Sequence, residues 1–272
     1  MNIYQEIVNF QNANIPFVVV SVISKDGHGP QIPGAKMIVT GEGKIIGTIG
    51  GGALELLAGK EALAMLSNGT SFFIKKYTMS EDNAITDSVK TGMICGGTID
   101  LLYEPHGELA TVYIFGAGHV GQAIAYHLAK LDYRTIMCDC RPEYKKEISG
   151  VSEIIIDDYS RILDDRKVSP NSFMIIVTHS HELDFAILKK IYKSSWGPKY
   201  IGAIASKKKA ETILHRLKQE MKEVNIDFDK LYCPIGLKTG GATPHDIAIS
   251  IVAELQTVRF SKEGHNHFRT QR

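Results

Sequence analysis

Two rhythms of apolar and polar positions divide the chain. Residues 2–11 repeat at helical spacing and predict a short helix, and the β-branched run FVVVSVI (17–23) predicts a buried strand. The loop SKDGHGPQIPGAK follows, irregular by its glycines and prolines. MIVT, a GEGK turn and IIGTIG together predict a hairpin. GGALELLAGKEALAMLSNG predicts an amphipathic helix ending near Asn68–Gly69, and SFFIKKYTM and TIDLLYEP predict two further strands. After a linker at 104–111 the pattern becomes strand–helix alternation. VYIF leads into a helix from about 119; TIMCD and EIIID are strands followed by a short helix; FMIIVT and YIGAI each precede a helix; and ISIVAEL lies in the last helix. Short continuous apolar strands separated by helices predict a parallel sheet covered on both faces. The polar, basic tail SKEGHNHFRTQR is expected to be loose.

The fold class expected is therefore α/β in two domains, 1–107 a mixed α/β unit and 108–272 a Rossmann-like, doubly wound unit. Charge supports the division: residues 1–106 carry 7 basic and 10 acidic groups and no arginine, leaving 24 basic and 20 acidic groups for the rest. The net charge of +1 predicts no strong field toward nucleic acid or a membrane surface. No apolar run approaches the roughly 20 residues needed to span a bilayer, and the first residues lack the basic start of a signal peptide. The four cysteines, Cys95, Cys138, Cys140 and Cys233, form no disulfide framework, which predicts a reducing, cytoplasmic home.

VYIFGAGHVGQAIAYHLAKLDYRTIMCDC carries the most specific physical signal. Gly116, Gly118 and Gly121 form G-x-G-x-x-G between an apolar strand and a helix that His119 opens. The first glycine permits the tight turn, the second lets a pyrophosphate approach the backbone, and the third allows close helix–strand packing. The helix start then offers N–H groups and a positive dipole end to phosphate. Asp139, 21 residues past Gly118, is placed to accept from ribose hydroxyls. Cys138 and Cys140 share one face of that strand, as small buried filler or as metal ligands. THSHELD follows another strand, so His179, His181 and Asp184 are candidates for ligand contact, helix capping or metal binding. The basic run SKKKAET is a solvated surface or a phosphate contact.

In the first unit, GTIGGGALE and GMICGGTID both place glycines at junctions. Three glycines at Gly50, Gly51 and Gly52 cost backbone entropy, which either φ > 0 turns or a close approach by a ligand explains. Glu55 lies in the first turn of the helix that follows. Cys95, directly before Gly96 and Gly97, is an inert buried thiol or a thiol that meets a bulky ligand; a nearby helix dipole would favour the thiolate.

PGAKMIVT, GTIGGGALE, MICGGTIDLLYEP, VYIFGAGHVGQAIA, CDCRPEY, THSHELD, YIGAIASKKK and PIGLKTGGATPHDIAISIVAEL occur in this order from about residue 15 to 258. Together they resemble the xanthine dehydrogenase accessory (XdhC/CoxI) family. The resemblance implies a cytoplasmic maturation factor, closer to a chaperone than to a turnover enzyme. Such a factor binds the molybdenum cofactor (molybdopterin), supports its sulfuration with a cysteine desulfurase, and inserts it into a molybdenum hydroxylase such as xanthine dehydrogenase. By position, Cys95 becomes the metal or sulfur contact, with Gly96 and Gly97 beside it. Gly50, Gly51, Gly52 and Glu55 fall in the family's G-G-G-x-L-E segment. Thiolate is a soft donor suited to molybdenum or to carrying sulfur. A homodimer is expected by analogy with dimeric clients.

Two departures stand out. Gln31 stands where relatives carry an arginine before P-G-A, and Cys140 stands in an otherwise Asp-Asp-Arg-Pro segment. Asp139 survives, while Arg141 offers a cation to a 2′-phosphate, so NAD and NADP both stay open. The competing reading is an NAD(P)-dependent oxidoreductase built on the Gly116–Gly121 loop.

Overall fold

A computed structural model describes residues 2–27, 32–68, 70–79, 88–92, 96–224 and 226–263. Cys95, Gln31, Gly69 and most of the C-terminal tail lie outside the described residues. The chain divides into two compact units, Met1–Glu108 and Leu109–Arg272.

The first unit runs α1 (Ile3–Ala13), β1 (Phe17–Gly27), β2 (Lys36–Thr40), β3 (Ile45–Gly47), α2 (Gly52–Asn68), β4 (Phe73–Thr78), β5 (Val89–Lys90) and β6 (Gly97–His106). The strands form one sheet in the order β3-β2-β1-β6-β4-β5. Alternation along β1 explains why both faces are covered. Val18, Val20 and Val22 join a core with Leu54, Ala58 and Met65 of α2, while Phe17 and Val19 join a smaller core against Ile3, Ile7 and Phe10 of α1. Asn2 caps α1 by accepting from the Tyr4 N–H, and Asn14 ends it in the left-handed region. Tyr77 and Tyr103, both fully buried, satisfy each other through a 2.6 Å hydroxyl pair. The two-residue strand β5 is too short for a sequence pattern to reveal.

The second unit runs β7 (Ala110–Phe115), α3 (His119–Leu128), β8 (Tyr133–Asp139), β9 (Glu153–Ile156), β10 (Phe173–Ile176), α4 (His181–Lys193), β11 (Tyr200–Ala203), α5 (Lys207–Glu220), β12 (Leu231–Tyr232) and α6 (Pro244–Arg259). All its strand pairs are parallel. The order β9-β8-β7-β10-β11-β12 is the Rossmann order 3-2-1-4-5-6 when counted within the unit. Tyr113 and Phe115 of β7 face one core with α4 and α5, and Val112 and Ile114 face the other with α3 and α6. The sheet is doubly wound, with a mixed α/β unit before it.

One expected element is absent. Residues 157–172 form turns where a short helix was expected between β9 and β10. Asp158 accepts from the Ser160 N–H, and Leu163 sits at φ 67, a conformation that interrupts a right-handed helix. The segment still buries Tyr159, Ile162, Leu163 and Val168 against the sheet, so turns do the covering that a helix would have done.

Candidate functional site

In the second unit the strand order reverses between β7 and β10, and open α/β sheets bind ligands at the carboxyl ends of such strands. The loops that emerge there are Gly116–Gly118 and Thr178–Ser180. Gly116 adopts φ 118, and a Cβ on it would strike the Val177 carbonyl oxygen, so the two loops are in backbone contact. A Cβ on Gly121 would strike the Gly116 carbonyl oxygen. These two glycines are thus required by packing. Gly118 is different: its φ of −70 suits any residue, and among the described residues a Cβ there would meet nothing within 4 Å. The space beside it is open, and no side chain caps the α3 N-terminus that Gly118 and the exposed His119 begin.

Asp139 ends β8 fully buried. One oxygen, Oδ2, accepts from the Ala117 N–H at 2.7 Å and from Arg141 Nη2 at 2.7 Å. The other, Oδ1, accepts from the Arg141 N–H at 3.0 Å and Nε at 2.8 Å. Burial alone would raise the carboxyl pKa, but these hydrogen bonds, Arg141 foremost, bring it below the usual carboxylate range. The acceptor that the sequence assigns to ribose is therefore already filled by the protein's own donors. Arg141 in turn lies 4.4 Å over the Tyr144 ring, and hydrogen bonding to Asp139 raises its pKa.

Across the crevice, Asp184 is buried, and its Oδ1 accepts from the Thr178 hydroxyl at 2.6 Å and N–H at 3.2 Å. Burial raises its pKa despite those bonds. His181 Nδ1 lies 3.8 Å from Asp184 Oδ2, and its Nε2 meets Lys209 Nζ. The HSHELD segment thus holds the loop and links α4 to α5. Among the described residues no group of three or more His, Cys, Asp or Glu is arranged to hold a metal ion. Lys207 and Lys208 of the basic run are exposed. Cys138, Cys140 and Cys233 are free thiols; burial raises all three, Cys233 to about 11, which suits packing over reactivity.

In the first unit, the antiparallel pairings bring the ends of β1, β3 and β4 and the starts of β2 and β6 to one end of the sheet. Both glycine junctions open there, though not in one row. Gly47 pairs with Met37, which pairs with Val20, whereas Gly97 pairs with Gly27. Seven residues along β1 make this step roughly 20 Å. Residues 48–52 lead on from β3, and Ile49 and Leu54 join the core that holds Met79 and Ile99 near Gly97.

Gly50, Gly51 and Gly52 have φ 132, 76 and 60, and Gly96 and Gly97 have φ 66 and 126. Left-handed backbone is thus one sufficient reason for glycine at all five. Among the described residues a Cβ on Gly51, Gly52 or Gly96 would nevertheless meet nothing within 4 Å, so the space beside them is open there too. Glu55 braces this loop: its Oε1 accepts from the Thr48 hydroxyl, from Ile49 N–H at 3.1 Å and from Gly51 N–H at 2.8 Å. Burial opposes ionisation of Glu55, but these bonds prevail and lower its pKa. The sequence did not point to Thr48, whose part is visible only once the loop closes on Glu55. It also missed the Arg141 clamp, since a bidentate pair two residues apart depends on how the strand ends.

These two units define a class: an N-terminal mixed sheet with glycine junctions joined to a Rossmann unit. A sequence model described as the XdhC Rossmann domain matches residues 112–255, and one described as the XdhC and CoxI family matches residues 10–78. The chain belongs to the XdhC family. It is 28% identical over 269 residues to the uncharacterized protein YqeB of Escherichia coli (strain K12), covering 97% of this chain and 47% of that protein. It is 25% identical over 176 residues to a probable xanthine dehydrogenase subunit of Bacillus subtilis (strain 168), covering 60% of this chain and 50% of that protein. The chain spans about half the length of these curated relatives. A crystal structure of a xanthine dehydrogenase from Bacillus halodurans shares the fold, with TM-score 0.51, 21% identity and 97% of both chains covered. Among the described residues no helix is long and apolar enough to cross a membrane.

Proposed function

We propose that this protein is a maturation factor for a molybdenum hydroxylase such as xanthine dehydrogenase. In this reading it binds the molybdenum cofactor, supports its sulfuration and inserts it into the apo-enzyme. Membership of the XdhC family across both units is the observation that carries the reading. The Bacillus subtilis relative, a probable xanthine dehydrogenase subunit, supports the choice of client.

Among the described residues, the open space beside Gly51, Gly52 and Gly96 fits a bulky planar group brought against the backbone. Gly50, Gly97 and Cys95 complete that set in sequence, and Glu55 positions the loop without spending its braced oxygen on the ligand. In the second unit, taken by itself, the Gly118 backbone, His119 and the start of α3 offer a place for a phosphate group, while Gly116 and Gly121 hold the loop's shape. When bound, the cofactor would supply the molybdenum and sulfur chemistry that the hydroxylase uses. The thiol of Cys95 is the chain's own soft donor for that centre or for the incoming sulfur. A cysteine desulfurase as sulfur source, a homodimeric assembly and a cytoplasmic setting complete the proposal.

Purification from cells that make the cofactor tests it. The protein is expected to retain molybdenum and a pterin whose oxidised form fluoresces. Protein that emerges free of both, and takes up neither on incubation with free cofactor, would contradict the reading. An NAD(P)-dependent oxidoreductase, the competing reading, predicts hydride transfer from a nicotinamide cofactor and no retained pterin.

A further inference from the structure

The Rossmann unit presents a mismatch. Its glycine loop has open room for a phosphate beside Gly118, yet the carboxylate that should read an adenosine ribose is closed off. A carboxylate offers about four lone-pair sites. Ala117 N–H, Arg141 N–H, Arg141 Nε and Arg141 Nη2 occupy all four on Asp139, at 2.7 to 3.0 Å. A ribose diol would have to displace Arg141, whose guanidinium is also held over Tyr144.

We infer that Arg141 is a specificity-determining plug: it occupies the ribose acceptor of the Rossmann crevice and turns the site away from NAD(H) toward phosphorylated ligands without an adenosine ribose diol. The inference rests on the reading that the Gly118 loop receives a phosphate. Asp139 then acts as a brace, tying the Gly116–Gly118 loop to the end of β8 through Ala117. The same geometry argues against Arg141 as a reader of a 2′-phosphate, because two of its three side-chain nitrogens are bonded to Asp139 and its guanidinium lies over the Tyr144 ring.

Direct binding to the full-length protein tests this, by calorimetry with inorganic pyrophosphate and by NADH and NADPH fluorescence. Pyrophosphate is expected to bind wild type and Arg141→Ala alike. NADH is expected to bind wild type weakly and Arg141→Ala roughly ten- to a hundredfold more tightly, the value of a restored charge-assisted hydrogen bond. Arg141→Gln, which keeps a short donor but loses the fork, serves where the alanine variant loses its cooperative melting transition, and is expected to gain in the same direction. Wild type that binds NADH as tightly as either variant overturns the inference alone. So does tight NADPH binding that Arg141→Ala abolishes, since the arginine would then be a phosphate reader. No pyrophosphate binding to wild type overturns the inference together with the phosphate-loop reading beneath it.

Discussion

Gly121→Ala is expected to destabilise the second unit by about 3 kcal/mol, at the upper end of what overpacking costs. The reason is geometric. The added methyl would strike the Gly116 carbonyl oxygen and lie 3.1 Å from its carbonyl carbon. Gly116 cannot retreat, because its own Cβ position already abuts the Val177 carbonyl of β10's loop. Backbone presses on backbone in both directions, with no flexible side chain to absorb the shift. For a unit of this size the change corresponds to a fall of roughly 6–12 °C in the Tm of that transition. Gly118→Ala is the matched control: with φ −70 and nothing within 4 Å, it should melt like wild type while weakening pyrophosphate binding. A Gly121→Ala protein that melts like wild type, or a Gly118→Ala protein that binds pyrophosphate unchanged, would each count against this division of labour within one motif.

Cys95→Ala is expected to separate function from folding. The chain has a thiol between Ile94 and two glycines whose φ values of 66 and 126 give them a conformational reason to be there. The other three cysteines are packed or half-packed in the second unit with raised pKa values. If the thiol serves a ligand, loss of Cys95 should leave the melting curve of the first unit within about 0.5 kcal/mol of wild type. Activation of a co-produced molybdenum hydroxylase should fall more than tenfold, since the first unit holds no other thiol to serve as soft donor or sulfur carrier. Cys95→Ser is expected to behave like the alanine variant, because the hydroxyl keeps the side chain's shape but is a hard donor. Full client activation by Cys95→Ala would remove the thiol from the account.

Much of the fold was legible because apolar period and turn residues agree. β1 announces itself by FVVVSVI, and the α3 start by Gly116, Gly118 and Gly121. Right-handed crossovers narrow the possible orders of the second sheet once its strands are parallel, and the structure supplies the order itself. The failures have local causes. Residues 157–172 carry apolar residues at a spacing compatible with a helix, but Asp158 bonds the nearby Ser160 N–H and Leu163 turns left-handed. β5 pairs through two residues only, below any periodic signal. For the site, the glycines were visible from sequence but not which of them answer to packing and which to open space. Gly116 and Gly121 differ from Gly118 in what a Cβ would meet, and Gly116 also in its φ of 118. Asp139 was visible as the residue at the strand end; its saturation by Ala117 and Arg141 was not, because hydrogen-bond capacity is spent in three dimensions.

The most direct measurement is transfer of cofactor between purified partners. Protein isolated from cells that make the molybdenum cofactor is mixed with apo-xanthine dehydrogenase, and hydroxylase activity is followed beside the molybdenum content of each protein after separation. The account predicts that molybdenum leaves this chain, appears in the hydroxylase and brings activity with it. Activity that rises no faster than with free cofactor, with molybdenum never carried by this chain, would contradict it.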